Sequence, residues 1–359
     1  MQFIRPALLA TTILTASMTT AFADVRVVTS IKPVHSLVAA VMQGVGTPDL
    51  IVEGAGSPHT YALKPSQAKQ LQEADLVFWM SHDLEAFLEK SIDGIATKAV
   101  SVPLMESRGL MTLGFREGGA FDDHGHDEHD DHDEHDKHDD HDKDDDHDHE
   151  KHDDHDHEKH DEHDDHDKDD DHDHEKHDDH DEHDHGEVDP HVWLDPENAK
   201  AMVHEIEEAL AKADPANAAT YESNAEAVMA KLDSLVAEID SELQPVKGRG
   251  YIVLHDAYQY FENRFGVSAI GSITVSPEVL PGAERVSDLQ EKVRSLDATC
   301  VFSEPQFEPK LVATVTENTN ARTGVLDPLG AAIDKGPNLY FTLIRNMASS
   351  LKNCLLGSG

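Results

Sequence analysis

The sequence predicts an α/β molecule: two βα lobes with parallel sheets, joined by one long helix, with a metal site in the cleft between the lobes. Three observations predict it. Short apolar runs alternate with helical stretches on both sides of the chain's middle, the signature of βα units. A helical pattern of roughly 30 residues, about 45 Å at 1.5 Å per residue, separates the two series and is too long for one small lobe. Outside one low-complexity tract, three histidines stand just past strand ends, where a parallel sheet delivers ligands.

Taken in order, the first 23 residues read as a secretory signal. Arg5 supplies the positive end, Ala7 to Ala16 form a short apolar run, and Ala21-Phe22-Ala23 is a cleavage site. The run is too short for a membrane span of about 20 apolar residues. Export to the periplasm is the expectation, with Asp24 as the new terminus. Strands are expected at Val25 to Ile31, Asp49 to Gly54, Asp75 to Met80 and Lys98 to Pro103. Helices between them are expected from Pro33 to about Met42, from Pro65 to about Glu73 and from about Leu84 to Ile92, prolines marking the first turns. Pro196 opens a helix toward Ala213, and Asp214-Pro215 restarts a helical pattern that runs to Leu243. Beyond it come the strand Tyr251 to Leu254, a helix to about Phe265, and the strand stretch GVSAIGSITV. A helix follows from about Glu284 to Leu296, then the strand TCVFS, a helix near Glu308 to Asn318, the strand RTGVLD and a C-terminal helix. The boundaries read as 24–213 for the first lobe, 214–246 for the linking helix and 247–359 for the second lobe.

The tract from Asp122 to Gly186 interrupts the first lobe. It holds 21 of the 27 histidines and 36 acidic residues against 6 lysines, and no apolar side chain. The sixteen residues HDKDDDHDHEKHDDHD that begin at His141 return unchanged at His166. A segment of this composition cannot bury a core and is expected to be disordered. Its many donors point to weak, interchangeable metal sites. Of the formal charge of −44, the tract carries −30 and the remainder −14. Neither part attracts nucleic acid or an anionic membrane.

The chemistry rests on His59 in GSPHTYALKPS, His191 in DPHVWLDP and His255 at the end of YIVLH. Any one of them alone reads as an ordinary cleft or surface histidine. Together, on both sides of the long helix, three imidazoles and one oxygen make a zinc-like donor set. Manganese would favour carboxylates over a third imidazole. HExxH, GxSxG, a P-loop and a Rossmann glycine motif after a strand are all absent, and the tract offers only HEKH. A catalytic zinc with bound water stays open at this point, as does a free-standing metal buffer built on the tract. Glu304 is expected to line the cleft, His35 to approach it, and His82 and His204 to be exposed. The two cysteines, Cys300 and Cys354, pair more readily than they stay free in an oxidising compartment.

The stretches PHTYALKPS, ADLVFWMSHDLEAFLEK, HVWLDPE, YIVLHDAYQYFENRFG, SPEVLPGAERV, ATCVFSEPQF and LDPLG follow one another in order. Through them the chain resembles the ZnuA-type zinc-binding proteins, periplasmic solute-binding components of zinc ABC transporters. The resemblance covers nearly the whole chain after the signal. It implies zinc ligands at His59, His191 and His255 and a disulfide between Cys300 and Cys354. The acidic histidine-rich loop before the second ligand is itself a feature of the family. Some members place a glutamate just before the first histidine, where this chain has Pro58. The fourth ligand is therefore expected to be water or Asp327, whose position in LDPLG matches a carboxylate ligand of manganese-binding relatives. Implied partners are a membrane permease, an ATPase and an accessory periplasmic zinc chaperone. The implied molecule is a monomer and a zinc carrier rather than an enzyme.

Overall fold

In the computed structural model the described residues are 25–116, 121, 188–274, 283–296 and 298–357. The expected signal over 1–23 and the tract over 122–186 lie outside them. The first sheet holds β1 (Val27–Thr29), β2 (Asp49–Leu50), β3 (Leu76–Trp79) and β4 (Val100–Pro103) in the order β2-β1-β3-β4, all parallel. The second holds β5 (Tyr251–His255), β6 (Ala269–Thr274), β7 (Cys300–Ser303) and β8 (Arg322–Val325) in the order β6-β5-β7-β8, again all parallel. The same order appears twice. In each sheet the chain leaves the first strand toward one neighbour and later returns to the other side. This reversal opens a crevice at the carboxyl ends of the strands, the usual seat of a ligand in an open α/β sheet.

Proline-started helices begin where the sequence puts them. α1 (Lys32–Val41), α2 (Pro65–Glu73) and α4 (Pro196–Ala213) each carry proline in the first turn, where its missing N–H costs nothing. The second strand is shorter than the expected Asp49 to Gly54. Pairing with β1 continues only through Ile51 N–H to Thr29 O and Val52 N–H to Ser30 O, and Gly54 then turns the chain at φ +67°. α3 spans Ala86–Ile95.

The long helix is also shorter than expected. Pro215–Asn217 form a tight 3-10 turn, and α5 runs over Ala218–Leu243, about 39 Å at 1.5 Å per residue. Asp214 sets this start, because one of its carboxylate oxygens accepts from Asn217 Nδ2 at 2.6 Å and from the Tyr221 hydroxyl at 2.9 Å. The buried residues of α5 are Tyr221, Ala225, Val228, Leu232, Leu235, Ile239 and Leu243. Steps of three and four make them one stripe. The stripe packs on α1, on α4 and on α9 (Leu339–Leu356).

That stripe belongs to a core shared by both sheets. One apolar cluster contains Val27 and Phe78 of the first sheet, Leu232 of α5, Tyr251 and Phe302 of the second sheet, and Tyr340 of α9. Alternate residues of the second sheet face the other way. Ile252, Leu254 and Val301 form a second cluster with Leu289 of α7 (Ala283–Ser295) and Val312 of α8 (Lys310–Val315). Both faces of this sheet are covered, as a parallel sheet requires.

The lobes are also joined by polar contacts. Lys32 of α1 is buried and donates to the carbonyls of Gly330 at 2.6 Å, Ala331 at 3.0 Å and Ile333 at 2.6 Å. Desolvation lowers its pKa. Cys300 and Cys354 form a disulfide, Cα–Cα 6.2 Å, tying β7 to α9. Closing a loop of 54 residues in this way is worth about 4 kcal/mol in the chain-entropy account. Among the described residues no helix is long and apolar enough to cross a membrane.

Candidate metal centre

His59 stands on the loop that follows β2. Gly56 allows that loop to turn tightly, since a Cβ there would meet the Tyr61 ring at 3.1 Å and Val52 Cγ1 at 3.2 Å. Gln67 fastens its base, donating from Nε2 to Ile51 O at 2.6 Å and to the Tyr61 hydroxyl at 2.9 Å. The ring stands at the mouth of the crevice, and its residue keeps solvent contact. Desolvation by the surrounding protein, with the nearby imidazoles of His191 and His255, pushes its pKa down to about 2. The ring therefore stays neutral, with a lone pair available.

His191 is buried and comes from the turn ahead of α4. Asp189 fixes it. The Oδ1 atom of Asp189 accepts from the His191 backbone N–H at 3.0 Å and faces His191 Nδ1 at 2.6 Å. The chain then enters the 3-10 turn Val192–Leu194, and Asp195 caps α4 by accepting from Glu197 N–H at 2.9 Å. Arg264 grips the same Asp195 with two bonds of 2.7 and 2.8 Å.

His255 is the last residue of β5, the strand at which the second sheet reverses order. Its Nδ1 faces Glu304 Oε1 at 2.7 Å, and Glu304 follows directly after the neighbouring strand β7. Both carboxylates are buried, Asp189 fully and Glu304 to 3 % exposure. A carboxylate accepts and never donates, so each of these imidazoles carries its proton on Nδ1 and keeps Nε2 for a metal.

The three rings meet. Centroids lie 5.6 Å apart for His59 and His191, 6.1 Å for His59 and His255, and 5.3 Å for His191 and His255. One ligand atom from each lies within 4.8 Å of the other two. Tetrahedral zinc with Zn–N near 2.0–2.1 Å would hold its nitrogens about 3.3 Å apart. The walls around the donors are Pro58, Trp193, Phe307, Pro328 and Leu329, with Ser57 and Gln306 among them.

Asp327 is not brought to this group. Its Oδ1 accepts from Gln306 Nε2 at 2.9 Å, Leu329 N–H at 3.1 Å and Gly330 N–H at 2.9 Å, and its Oδ2 from Ala331 N–H at 2.6 Å. It builds the turn that carries Pro328 and Leu329 rather than facing the donors. His35 is turned elsewhere too: its Nε2 lies 3.2 Å from Pro48 O, and burial pushes its pKa down to about 4. His82 lies beside Glu89 and His204 beside Glu207 and Glu208 at the surface. Sequence reasoning anticipated Glu304 in the cleft but missed Asp189. The signal was the D-P-H spacing, since an aspartate commonly accepts the N–H two residues on.

Comparison with known proteins gives the family. The sequence model of a family described as "Zinc-uptake complex component A periplasmic", ZnuA, matches residues 27–354. The chain is 54 % identical over 329 residues to the high-affinity zinc uptake system protein ZnuA of Brucella abortus, covering 92 % of this chain and 91 % of that one. It is 32 % identical over 357 residues to the protein of the same name from Yersinia pestis, covering 99 % and 98 %. Among solved structures, a crystal structure of ZnuA superposes with a TM-score of 0.65 at 20 % identity, covering 92 % of this chain and 99 % of that one. The solute-binding protein FpvC of Pseudomonas aeruginosa with Mn2+ superposes with a TM-score of 0.67 at 17 % identity, covering 94 % and 100 %. At these identities the structural likeness bears on the fold alone.

Proposed function

Because the chain belongs to the ZnuA family of periplasmic zinc-uptake components, we propose that it captures Zn2+ in the periplasm through His59, His191 and His255 and hands it to the permease and ATPase of an ABC-type importer. One observation carries the assignment of the donors: three imidazoles from a loop, a turn and a strand end converge to within 4.8 Å, two of them oriented by buried carboxylates. Three nitrogen donors without a protein oxygen favour zinc over manganese. Water supplies the fourth position in this reading, because the oxygens of Asp327 already serve the turn 327–331. Hydrolysis would need a general base beside the metal, and the nearest carboxylates, Asp189 and Glu304, are occupied with the imidazoles. Export through the segment 1–23, a monomeric state and an accessory zinc chaperone complete the reading on sequence grounds.

The test is zinc titration in competition with a strong chelator, so that only tight sites register. His59→Ala, His191→Ala and His255→Ala should each lose the tight site. Undiminished affinity in any one of them would remove that residue from the donor set. Turnover of ester or peptide substrates by the zinc-loaded protein would instead favour a hydrolase.

A further inference from the structure

The chain enters and leaves the segment 117–187 on two strands that run side by side. Gly114 and Val188 form an antiparallel bridge, and Asp189 N–H donates to Leu113 O at 2.9 Å. Both strands are held by one short helix, α6 (Gln259–Phe265), and by the residues just ahead of it. Arg116 on the incoming strand forms ion pairs with Asp256 and Glu262, both buried, and lies over the Phe121 ring at 4.2 Å. The Tyr260 hydroxyl accepts from Leu113 N–H at 2.9 Å and donates to Asp189 O at 2.8 Å.

Gln259 bridges the two strands. Its Nε2 lies 3.0 Å from Gly114 O and 2.7 Å from Asp189 Oδ2. Both partners are acceptors, so the amide has one workable orientation, with both of its N–H groups donated. Asp189 is thus held from two sides, His191 on Oδ1 and Gln259 on Oδ2. Gln259 also follows His255 by four residues, so one short stretch of chain carries one donor and contacts the partner of another.

We propose that Gln259 is a positioning residue for metal capture: through Asp189 it fixes the tautomer and direction of His191 and locks them to His255. The proposal rests on the reading of the three histidines as zinc donors. It predicts that the site's geometry depends on a side chain that never touches the metal. Loss of such an outer partner lowers metal affinity by roughly 10- to 100-fold.

The full-length chain is the material, with Gln259→Met, which keeps length and removes both donors, and Gln259→Asn, which keeps an amide but loses reach. Two quantities are read. Chelator competition gives the affinity of the tight zinc site, expected to fall by about 10-fold in both variants. The nitrogen–proton resonance of His191 Nδ1 in zinc-free protein, assigned by its loss in His191→Gln, should weaken or shift as the tautomer is released. Unchanged affinity would overturn the proposal, and so would weaker affinity with the Nδ1 resonance intact. His191→Gln separates this outcome from failure of the underlying reading. If that substitution left tight zinc binding in place, the three-histidine site itself would fall, whatever Gln259 did.

Discussion

A histidine offers a metal one nitrogen, and what the other nitrogen touches decides which one. Here Asp189 and Glu304 take Nδ1 of His191 and His255. This bears on any attempt to change selectivity. His255→Glu should shift preference toward manganese, because an oxygen donor replaces imidazole. It would also set a new carboxylate against Glu304. Pairing it with Glu304→Gln should therefore give the larger shift, measured as the ratio of manganese to zinc affinity. An unshifted ratio in both would argue against His255 as a donor. A third buried acidic residue acts on stability. Glu85 accepts from Met80 and Ser81 N–H at 2.9 and 3.1 Å, and burial raises its pKa from 4.5 to about 7. Its folded-state pKa lies above the unfolded value, so its favourable contribution is present below pH ~4.5 and lost as pH rises through ~7. The loss is on the order of 3 kcal/mol. Glu85→Gln keeps an acceptor for both N–H groups and should flatten the decline of stability between pH 5 and 8 in denaturant titrations. An unaltered slope would show that Glu85 does not titrate in that window.

At the scale of elements, α5 is a strut whose buried stripe faces helices from both lobes. Leu232 lies at its middle, fully buried. Leu232→Ala should cost about 2–5 kcal/mol, from lost transfer energy and the cavity left behind. Urea unfolding would measure it, and a loss below about 1 kcal/mol would mean that the site collapses around the smaller side chain. The register of such elements was legible in the sequence because proline and apolar period act locally. Pro65, Pro196 and the helical pattern that runs to Leu243 each needed only a few neighbours to be read. Pattern failed where one particular contact or turn decides. The tight turn at 215–217 depends on Asp214 meeting Tyr221, and the short second strand depends on the turn at Gly54. The same division runs through the site. His59, His191 and His255 could be read because each follows a strand or turn in its own segment. The contacts that aim them could not, since Glu304 lies 49 residues from His255 and Gln259 lies 70 from Asp189.

For the whole molecule, the shared core and the Lys32 contacts make the two lobes one mechanical body. Trp193 Nε1 donates to Pro328 O at 2.9 Å and the Tyr340 hydroxyl to Trp193 O at 2.7 Å, so the cleft floor is cross-linked as well. Zinc should be taken up with little rotation between lobes. Spin labels at positions 69 and 310, one on each lobe, should keep their separation when zinc is added, and a change above about 2 Å would show that the lobes rotate. Removal of 122–186 should leave one tight zinc site and an intact fold while abolishing weaker binding, because that segment supplies no apolar residue to the core. Loss of the tight site in a folded deletion variant would move the principal site into the segment. The bridge between Gly114 and Val188 has one more consequence, concerning inheritance. It brings the ends of the insert together whatever its length, and closing a loop costs only about 0.6 kcal/mol more for each doubling of its length. The repeat that begins at His141 and again at His166 can therefore be copied or lost in the gene almost without penalty to the fold. The number of histidines becomes a quantity that selection can adjust by slippage, one repeat at a time, while the three histidines of the cleft stay where they are.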